Sequence, residues 1–226
     1  DQDEDISNVI KPYIIGRDLA QKNSNRFVID FHGKSKKEIE RNFPKLYQRI
    51  LETVKPERDQ NKRRSYRDNW WLFAEARSTF RPALESIDRY IITPRTSRHR
   101  YFIFLDSKVI PETSTVAIAL DDSFFLGVLS SQHHVAWSFS AGGFLGIGND
   151  PTYSKTTTFQ KFPFPDATDE QKERIRELGE HLDEHRKQVQ AEYPDATLTA
   201  MYNALERLRS LTSNSPIRPG CFFLWY

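Results

Sequence analysis

Apolar and polar positions alternate along this chain in a way that predicts both strands and helices. Short runs rich in β-branched and aromatic residues, bounded by Gly, Asp or charged residues, are typical of strands. Such runs predict strands at 13–15, 26–31, 90–92, 101–105, 115–120 and 156–162. We expect the strands at 90–92 and 101–105 to form a hairpin, with the polar segment between them at its tip.

Helices are predicted where apolar residues recur every three or four positions. Ser35 is a suitable N-cap, and Glu38 three residues later completes a capping box, so a helix should begin there and continue to Pro56. Another helix should follow the N-cap residues at 121–123 and end at the glycine pair at 142–143, which is a typical helix C-terminus.

Two further helices are predicted near the C-terminus. The first opens at Asp169 and ends before Pro194, and the second begins after Thr197. The first carries an apolar stripe that must dock on another surface, formed by Ile175, Leu178, Leu182 and Val189. Together these elements predict an α+β fold, with a mixed-sheet domain at residues 6–165 followed by a C-terminal helical hairpin at residues 166–226.

Composition narrows the class of protein. The chain has 226 residues, with 16 Phe, 9 Tyr and 4 Trp available for a core. Its single cysteine, Cys221, excludes an internal disulfide and a thiolate metal cluster and suits a reducing compartment. No apolar run is as long as a membrane span and no secretory signal is visible, so we expect a cytoplasmic protein without a membrane segment. The acidic start at Asp1 leads us to expect a fragment of a longer protein.

The net charge of +2 conceals an asymmetry between the two predicted regions. Residues 6–165 carry 25 Lys and Arg against 16 Asp and Glu, whereas residues 166–226 carry 8 against 11. A basic body with an acidic arm suits a polyanionic partner on the body. Many folded domains have a mild basic excess, so the charge alone leaves the function open.

One basic segment lies at residues 55–67. It is either a solvated linker between helices or a strip that grips phosphates, and its candidate phosphate ligands are Arg63, Arg64 and Arg67. The adjacent Trp70 and Trp71 that follow are expected to pack in a core or at a domain seam rather than to stack on bases.

A second basic segment forms the tip of the predicted hairpin at residues 93–100. From Arg89 to Arg100 inclusive there are four arginines and no acidic residue. The planar guanidinium fork suits phosphate and guanine. We therefore expect nucleic-acid contacts from this tip, mainly to phosphates, by Arg95, Ser97, Arg98, His99 and Arg100.

Residues 144–153 partly match two methyltransferase motifs, the F-x-G-x-G of methyl-donor sites and the catalytic N-P-P-Y. A glycine-rich cofactor turn should follow a buried strand and open a helix. Here it follows a predicted helix, and Pro151 forbids a new helix nearby. We therefore predict a polar loop with no catalytic residue. No metal site is predicted at His133 and His134, because no second ligand pair has suitable spacing.

An ordered set of short motifs resembles one protein family. The motifs are G-R-D-L at 16–19, F-V-I-D-F at 27–31, V-K-P-E-R at 54–58, R-D-N-W-W-L-F at 67–73, S-R-H-R at 97–100, L-G-V-L-S-S at 126–131 and the segment at 148–165. Across roughly residues 13–209 they resemble the C-terminal half of MmeI-like enzymes, which are single-chain type II restriction–modification proteins, and of related adenine-N6 DNA methyltransferases. The ordered set is specific, although each motif alone is weak.

The resemblance implies a target recognition domain that reads double-stranded DNA. In the family the catalytic motif, the S-adenosylmethionine site and, where present, the nuclease lie upstream, so this segment needs no cofactor and its parent chain supplies a methyltransferase domain as partner. Bases are read from the loop before the Y-S-K-T block. Carried over to this sequence, that loop gives Gly148, Asn149, Asp150 and Thr152 as base-reading residues, supported by Tyr153, Lys155 and Thr156.

The chain departs from the family after its second C-terminal helix. There S-N-S-P at 213–216 leads to C-F-F-L-W-Y at 221–226, so we expect a truncated or altered C-terminal region. Type I specificity subunits share a similar F-P-F-P and E-Q-x-x-R-I run, so one alternative is a module that docks on a methyltransferase partner through Leu178, Leu182 and Leu205. Another is a self-sufficient enzyme that uses residues 146–153, which binding of S-adenosylmethionine would identify.

Overall fold

Strands and helices alternate along the chain, which confirms the α+β class. The computed structural model describes residues 6–75, 77, 79–145 and 150–212. The strands are β1 (Ile10–Ile14), β2 (Arg26–Ile29), β3 (Arg89–Pro94), β4 (Ile103–Asp106), β5 (Ile110–Pro111), β6 (Thr115–Ile118), β7 (Phe144–Leu145) and β8 (Asp150–Pro151). The helices are α1 (Gly16–Ala20), α2 (Lys36–Asn42), α3 (Pro44–Thr53), α4 (Lys55–Asp59), α5 (Arg64–Asp68), α6 (Phe80–Leu84), α7 (Ser123–Ser130), α8 (Gln132–Ala141), α9 (Asp169–Glu192) and α10 (Leu198–Thr212), and a π-helical turn spans Lys155–Phe159.

Two three-stranded sheets organise the body. In the first, β1 lies between β2, to which it is antiparallel, and β5, to which it is parallel. In the second, β3 lies between β4 and β6 and is antiparallel to both. The pairing of β3 with β4 confirms the predicted hairpin, so the basic segment at 95–100 is its connecting loop.

The central strand β3 is buried on both faces, which explains its continuous apolar run. Ile91 faces a cluster that contains Phe102, Phe104 and Leu126. Tyr90 and Ile92 face the opposite cluster, which includes residues from β1, α1 and α10. A third cluster packs the helices α2 and α3 against residues near the first sheet, and Trp70 is buried there, as its sequence context predicted.

Two predicted helices are each divided in the structure. The capping box of Ser35 and Glu38 is present, but the first helix stops before Pro44, which starts a new one. Proline disfavours helical geometry in the residue before it, and Phe43 accordingly has φ −137° and ψ 55°. The predicted helix after Asp122 is divided at Ser131, whose Oγ accepts from the backbone N–H of His134 and caps α8.

The strand predicted at 156–162 is wrong, because this segment forms the π-helical turn instead. The backbone N–H of Ser154 donates to Thr158 Oγ1 at 2.8 Å, and the Thr158 hydroxyl donates back to the Ser154 carbonyl. Local hydrogen bonds of this kind compete with the ladder of a sheet. Ser154 and Thr158 therefore close a turn where the threonines at 156–158 favoured a strand by composition.

The predicted helical hairpin is confirmed, although the most buried positions of α9 are not those of the predicted apolar stripe. They are Gly179, Asp183 and Arg186, whereas Ile175, Leu182 and Val189 of the stripe are half-buried and Leu178 is 52% exposed. The helix α9 packs directly on the backbone of α7. An added Cβ on Gly179 would lie 2.4 Å from the Ser123 carbonyl oxygen, so only glycine allows this approach.

Polar side chains of α9 also cover the outer edge of β4. Asp183 accepts from the backbone N–H of Phe104 at 3.1 Å, and Arg186 donates to the carbonyl of Phe102 at 2.8 Å. An edge strand exposes backbone groups that must find partners. The buried polar side chains of α9 provide these partners, so the helical arm covers and completes the edge of the second sheet.

Candidate nucleic-acid interface

The structure brings the two segments with the strongest sequence predictions side by side. The backbone N–H of Tyr153 donates to the carbonyl of Arg95 at 2.7 Å, and that of Ser97 donates to the carbonyl of Pro151 at 3.2 Å. Between these bonds, Thr96 and Thr152 form an antiparallel bridge. The hairpin loop and the predicted base-reading segment are thus hydrogen-bonded neighbours, although more than 50 residues separate them in sequence.

A third segment pairs on the other side. In the β7–β8 ribbon, Phe144 lies opposite Pro151 and Leu145 opposite Asp150, and the N–H of Thr152 donates to the Gly143 carbonyl at 2.8 Å. Residues 95–97, 150–153 and 143–145 therefore form what we call the three-segment ladder. The connection at 146–149 lies outside the described residues, and with it the predictions for Gly148 and Asn149.

Glycine is needed where the ladder leaves α8. An added Cβ on Gly142 would lie 2.4 Å from the Thr152 carbonyl oxygen and 2.6 Å from that of Ser138. The glycine pair therefore ends the helix, as predicted, and also lets the ribbon pass close to Thr152.

Tyr153 anchors the ladder to the core. Its side chain is buried, and its hydroxyl lies 3.0 Å from Nε2 of His134, whose Nδ1 lies 2.8 Å from the Leu129 carbonyl. A carbonyl only accepts, so Nδ1 carries the proton and Nε2 accepts from Tyr153. Burial lowers the pKa of His134 to about 4, which keeps the ring neutral near pH 7 and preserves this arrangement.

Arg100 lies beneath the ladder rather than on its surface. It is only 3% exposed, and it donates to Thr93 Oγ1 at 2.9 Å, to the Pro94 carbonyl and to the Pro151 carbonyl at 3.2 Å. Its guanidinium also lies 5.1 Å from the centre of the Tyr153 ring. Burial lowers the pKa of Arg100 to about 10, so it remains charged near pH 7. The phosphate contact predicted for Arg100 does not fit this buried position.

Polar side chains on or directly beside the ladder are exposed next to two exposed apolar ones, Phe144 and Leu145. Arg95, Asp150, Lys155 and Thr156 are exposed, while Thr152 is half-buried. Ser154 fixes the backbone that carries Lys155 and Thr156. Its Oγ accepts from the N–H of Thr156 at 3.3 Å and caps the π-helical turn. In the described part of the chain, no ion pair engages either Arg95 or Asp150.

The helix α10 contacts the other end of the hairpin loop. Arg98 pairs with Glu206 at 2.9 Å, and Nε2 of His99 donates to Asn203 Oδ1 at 2.8 Å. The His99 ring also stacks on Tyr202. Glu206 and Asn203 did not emerge from the sequence, since they lie more than 100 residues from their partners and no local pattern marks them.

The first basic segment is engaged in contacts of its own. Arg63 donates to the Tyr66 hydroxyl, Arg64 pairs with Asp68, and Arg67 donates to the Asn61 carbonyl. Among the described residues, no hydrogen bond or ion pair joins Arg63, Arg64 or Arg67 to the three-segment ladder. The structure therefore leaves these three arginines outside the ladder.

The described residues contain no group of three or more His, Cys, Asp or Glu placed to hold a metal ion. His134 is occupied by its two hydrogen bonds, and His133 is exposed on α8. None of the helices within the described ranges is long and apolar enough to cross a membrane.

The geometry defines an α+β domain. It carries an exposed ladder of three paired segments and is braced by a helical arm. The family model of the MmeI target recognition domain matches residues 1–166, and the chain belongs to that family. This confirms the resemblance found in the motifs.

A solved structure of the type IIL restriction–modification enzyme MmeI in complex with DNA has a similar fold, with a TM-score of 0.69 at 19% sequence identity. The match covers 88% of this chain and 26% of that chain, so this sequence spans about a quarter of the enzyme's length. A comparison with curated protein sequences found no match.

Proposed function

We propose that this chain recognises a specific sequence of double-stranded DNA for a restriction–modification protein. The observation that carries the proposal is the three-segment ladder, which joins the arginine-rich hairpin loop to the Asp150–Thr156 segment by backbone hydrogen bonds. Sequence recognition needs phosphate ligands and base-reading groups in fixed register. The family membership and the DNA in the MmeI structure support this reading.

Asp150 has the chemistry of a base reader. An exposed carboxylate accepts hydrogen bonds only, and the amino group of cytosine N4 is the donor that it fits in the major groove. Thr152 and Thr156 can donate to or accept from either base of a pair, and Lys155 suits guanine or phosphate. These assignments combine the base-reading roles predicted from the sequence with the positions of the described residues at 150–156.

Arg95 is the phosphate ligand that the geometry favours most. It is exposed on the ladder, and its backbone is fixed by hydrogen bonds to Ser114 and Tyr153. Ser97, Arg98 and His99 extend the same loop towards α10. Arg63, Arg64 and Arg67 are the further phosphate ligands of the proposal, on a segment that no described hydrogen bond or ion pair joins to the ladder.

Arg100 and Tyr153 have a supporting role in this proposal. Arg100 ties the carbonyl of Pro94 to that of Pro151, and Tyr153 ties the same segment to His134. Such buried contacts hold Arg95 and Asp150 at a constant separation, and this is what base readout requires.

We propose further that methyl transfer, with S-adenosylmethionine as donor, takes place in an upstream domain of the parent protein and not in this segment. Phe144 and Leu145 of the partial donor motif pair in one ribbon with Asp150 and Pro151 of the partial catalytic motif. A methyl-donor turn should instead open a helix. Calorimetry of this chain with S-adenosylmethionine tests the assignment, and heat of binding would contradict it.

Selection from a pool of random duplexes tests DNA recognition itself. The chain is incubated with the pool at low and then at moderate salt, and the bound DNA is sequenced. We expect a short enriched motif. Salt-sensitive binding without enrichment would limit the chain to phosphate contacts and contradict its recognition of a specific sequence. Failure to bind DNA at low salt would contradict the proposal.

A second function is favoured by one observation, the exposed leucines of the helical arm. Leu178 is 52% exposed on α9, and Leu205, Leu208 and Leu211 are 37%, 60% and 80% exposed at three-residue spacing on α10. A run of exposed apolar residues along one helix suits a protein interface. A module that docks on a methyltransferase partner would assemble through Leu178, Leu182 and Leu205 and would have no DNA affinity of its own, and replacement of these leucines by Ser would abolish assembly.

A further inference from the structure

The β7–β8 ribbon presents different residues on its two faces. Successive residues of a strand point to opposite faces, and residues paired across an antiparallel ribbon share a face. Pro151 therefore shares the face of its partner Phe144 and of Tyr153, which is buried in the core. Leu145 and Asp150 share the opposite face, and Phe144 and Leu145 are exposed to similar extents, 61% and 63%.

Leu145 is exposed in a position where it adds nothing to the core. It is 63% exposed, and it belongs to none of the three buried clusters of the described residues. Its cross-strand neighbour is Asp150, the residue with the chemistry of a base reader. An added Cβ on Gly143 would lie 3.3 Å from Thr152 Oγ1, so a side chain at position 143 would crowd the hydroxyl of the half-buried Thr152.

The ribbon has dimensions that suit a DNA groove. The major groove admits a two-stranded β-ribbon, and the apolar group that it presents is the 5-methyl of thymine. Side chains directly opposite one another in a ribbon have Cβ atoms about 5 Å apart. Successive base pairs are about 3.4 Å apart along the axis. Two paired side chains can therefore reach neighbouring base pairs at the same time.

We propose that Leu145 contacts the 5-methyl group of a thymine in the base pair next to the one that Asp150 reads. The inference rests on the proposed DNA recognition and deepens it, because it assigns one apolar position of the target. Asp150 then distinguishes bases by a hydrogen bond, and Leu145 distinguishes thymine by its methyl group. The ribbon reads two neighbouring pairs with two kinds of contact.

Replacement of thymine by uracil tests the contact, since uracil lacks only the methyl group. Each thymine of the motif enriched from the random pool is replaced in turn, and affinity is measured for the wild-type chain, Leu145→Ala and Phe144→Ala. Phe144 is a matched control, because it is 61% exposed on the same strand but on the other face. Thermal unfolding of all three proteins checks that they remain folded.

We expect one replacement to weaken wild-type binding by about four-fold, which is the effect of one buried methyl group. Leu145→Ala should bind the thymine and uracil duplexes equally, while Phe144→Ala should keep the four-fold difference. A motif without thymine, no sensitivity to uracil, sensitivity that persists in Leu145→Ala, or sensitivity lost in Phe144→Ala would each overturn the contact. Failure to enrich any motif would contradict the proposed function, and the contact with it.

Discussion

Two arginine-rich segments look alike in the sequence but differ in their surroundings. Around Arg63–Arg67 the side-chain contacts described above are all local, to Tyr66, Asp68 and Asn61. Around Arg95–Arg100 the partners come from distant parts of the chain, among them Pro151 and Glu206. Both segments are positively charged because both are rich in arginine. Among the described residues, only the second of these two segments is hydrogen-bonded to the candidate base-reading loop, so long-range contacts rather than arginine content fix its position beside that loop.

The largest expected effect separates the buried arginine from an exposed one. Arg100→Met removes the donor from three acceptors, at Thr93, Pro94 and Pro151. We expect the free energy of unfolding to fall by about 3 kcal/mol, as is usual when buried hydrogen bonds to a charged group are lost. Arg64→Ala, on the exposed side of α5, should change it by less than about 0.5 kcal/mol. Equal losses in chemical denaturation would remove the distinction between the two segments.

The second prediction concerns acid and the buried histidine beneath the ladder. The pKa of His134 is lowered from 6.5 to about 4 in the folded chain, so the unfolded chain takes up the proton more readily. The stability that this shift contributes is complete above pH 6.5 and is lost as the pH falls towards 4. Between pH 7 and pH 5 the wild type should lose about 2 kcal/mol more than His134→Gln. Parallel pH profiles of unfolding for the two proteins would contradict the neutral, buried ring.

The third prediction compares one exposed arginine from each segment in DNA binding. Arg95→Ala should weaken binding to every duplex alike and reduce the slope of affinity against salt by about one. Arg64→Ala should have a smaller effect, because Arg64 pairs with Asp68 and lies outside the ladder. Titrations at several salt concentrations measure both slopes. A larger loss for Arg64→Ala would place the DNA on the first segment instead.

The smallest expected effect concerns the ion pair between Arg98 and Glu206. Both side chains are largely exposed, so Glu206→Gln should change stability by less than about 0.5 kcal/mol. Because it releases Arg98 and removes a negative charge beside the loop, it should strengthen binding to all duplexes roughly two-fold at low salt. Arg98→Ala should weaken binding to all sequences. A change of preferred sequence in either variant would mean that Arg98 reads bases.

Local patterns predicted the elements that depend on local chemistry. The strands of the β3–β4 hairpin, the Ser35 capping box and the C-terminal helices are all visible in the sequence, because each depends on periodicity and caps. The π-helical turn was missed, since Thr156 and Thr157 favour strands by composition while Ser154 and Thr158 close a turn by hydrogen bonds. Side-chain hydrogen bonds to the backbone compete here with the hydrogen bonds of a strand. The outcome depends on the local geometry, which residue propensities do not describe.

The candidate site was predictable in its parts but not in its assembly. The motifs pointed to both the hairpin loop and the Asp150–Thr156 segment, and the structure places them together. Burial of Arg100 could not be predicted from the sequence, because Arg95 and Arg98 lie in the same basic segment and nothing in the local pattern distinguishes the three arginines. The polar docking face of α9 was missed for a similar reason, since Asp183 and Arg186 are buried only because they satisfy the edge of β4.

Parallel selection with the wild type, Asp150→Asn and Arg95→Ala tests the central claim most directly. An amide in place of the Asp150 carboxylate pairs best with adenine, whereas the carboxylate accepts from cytosine. We therefore predict that Asp150→Asn changes one position of the enriched motif from cytosine to adenine, and that Arg95→Ala enriches the wild-type motif with lower affinity. An unchanged motif in Asp150→Asn, or a new one in Arg95→Ala, would contradict the assignment of base reading and phosphate binding on the ladder.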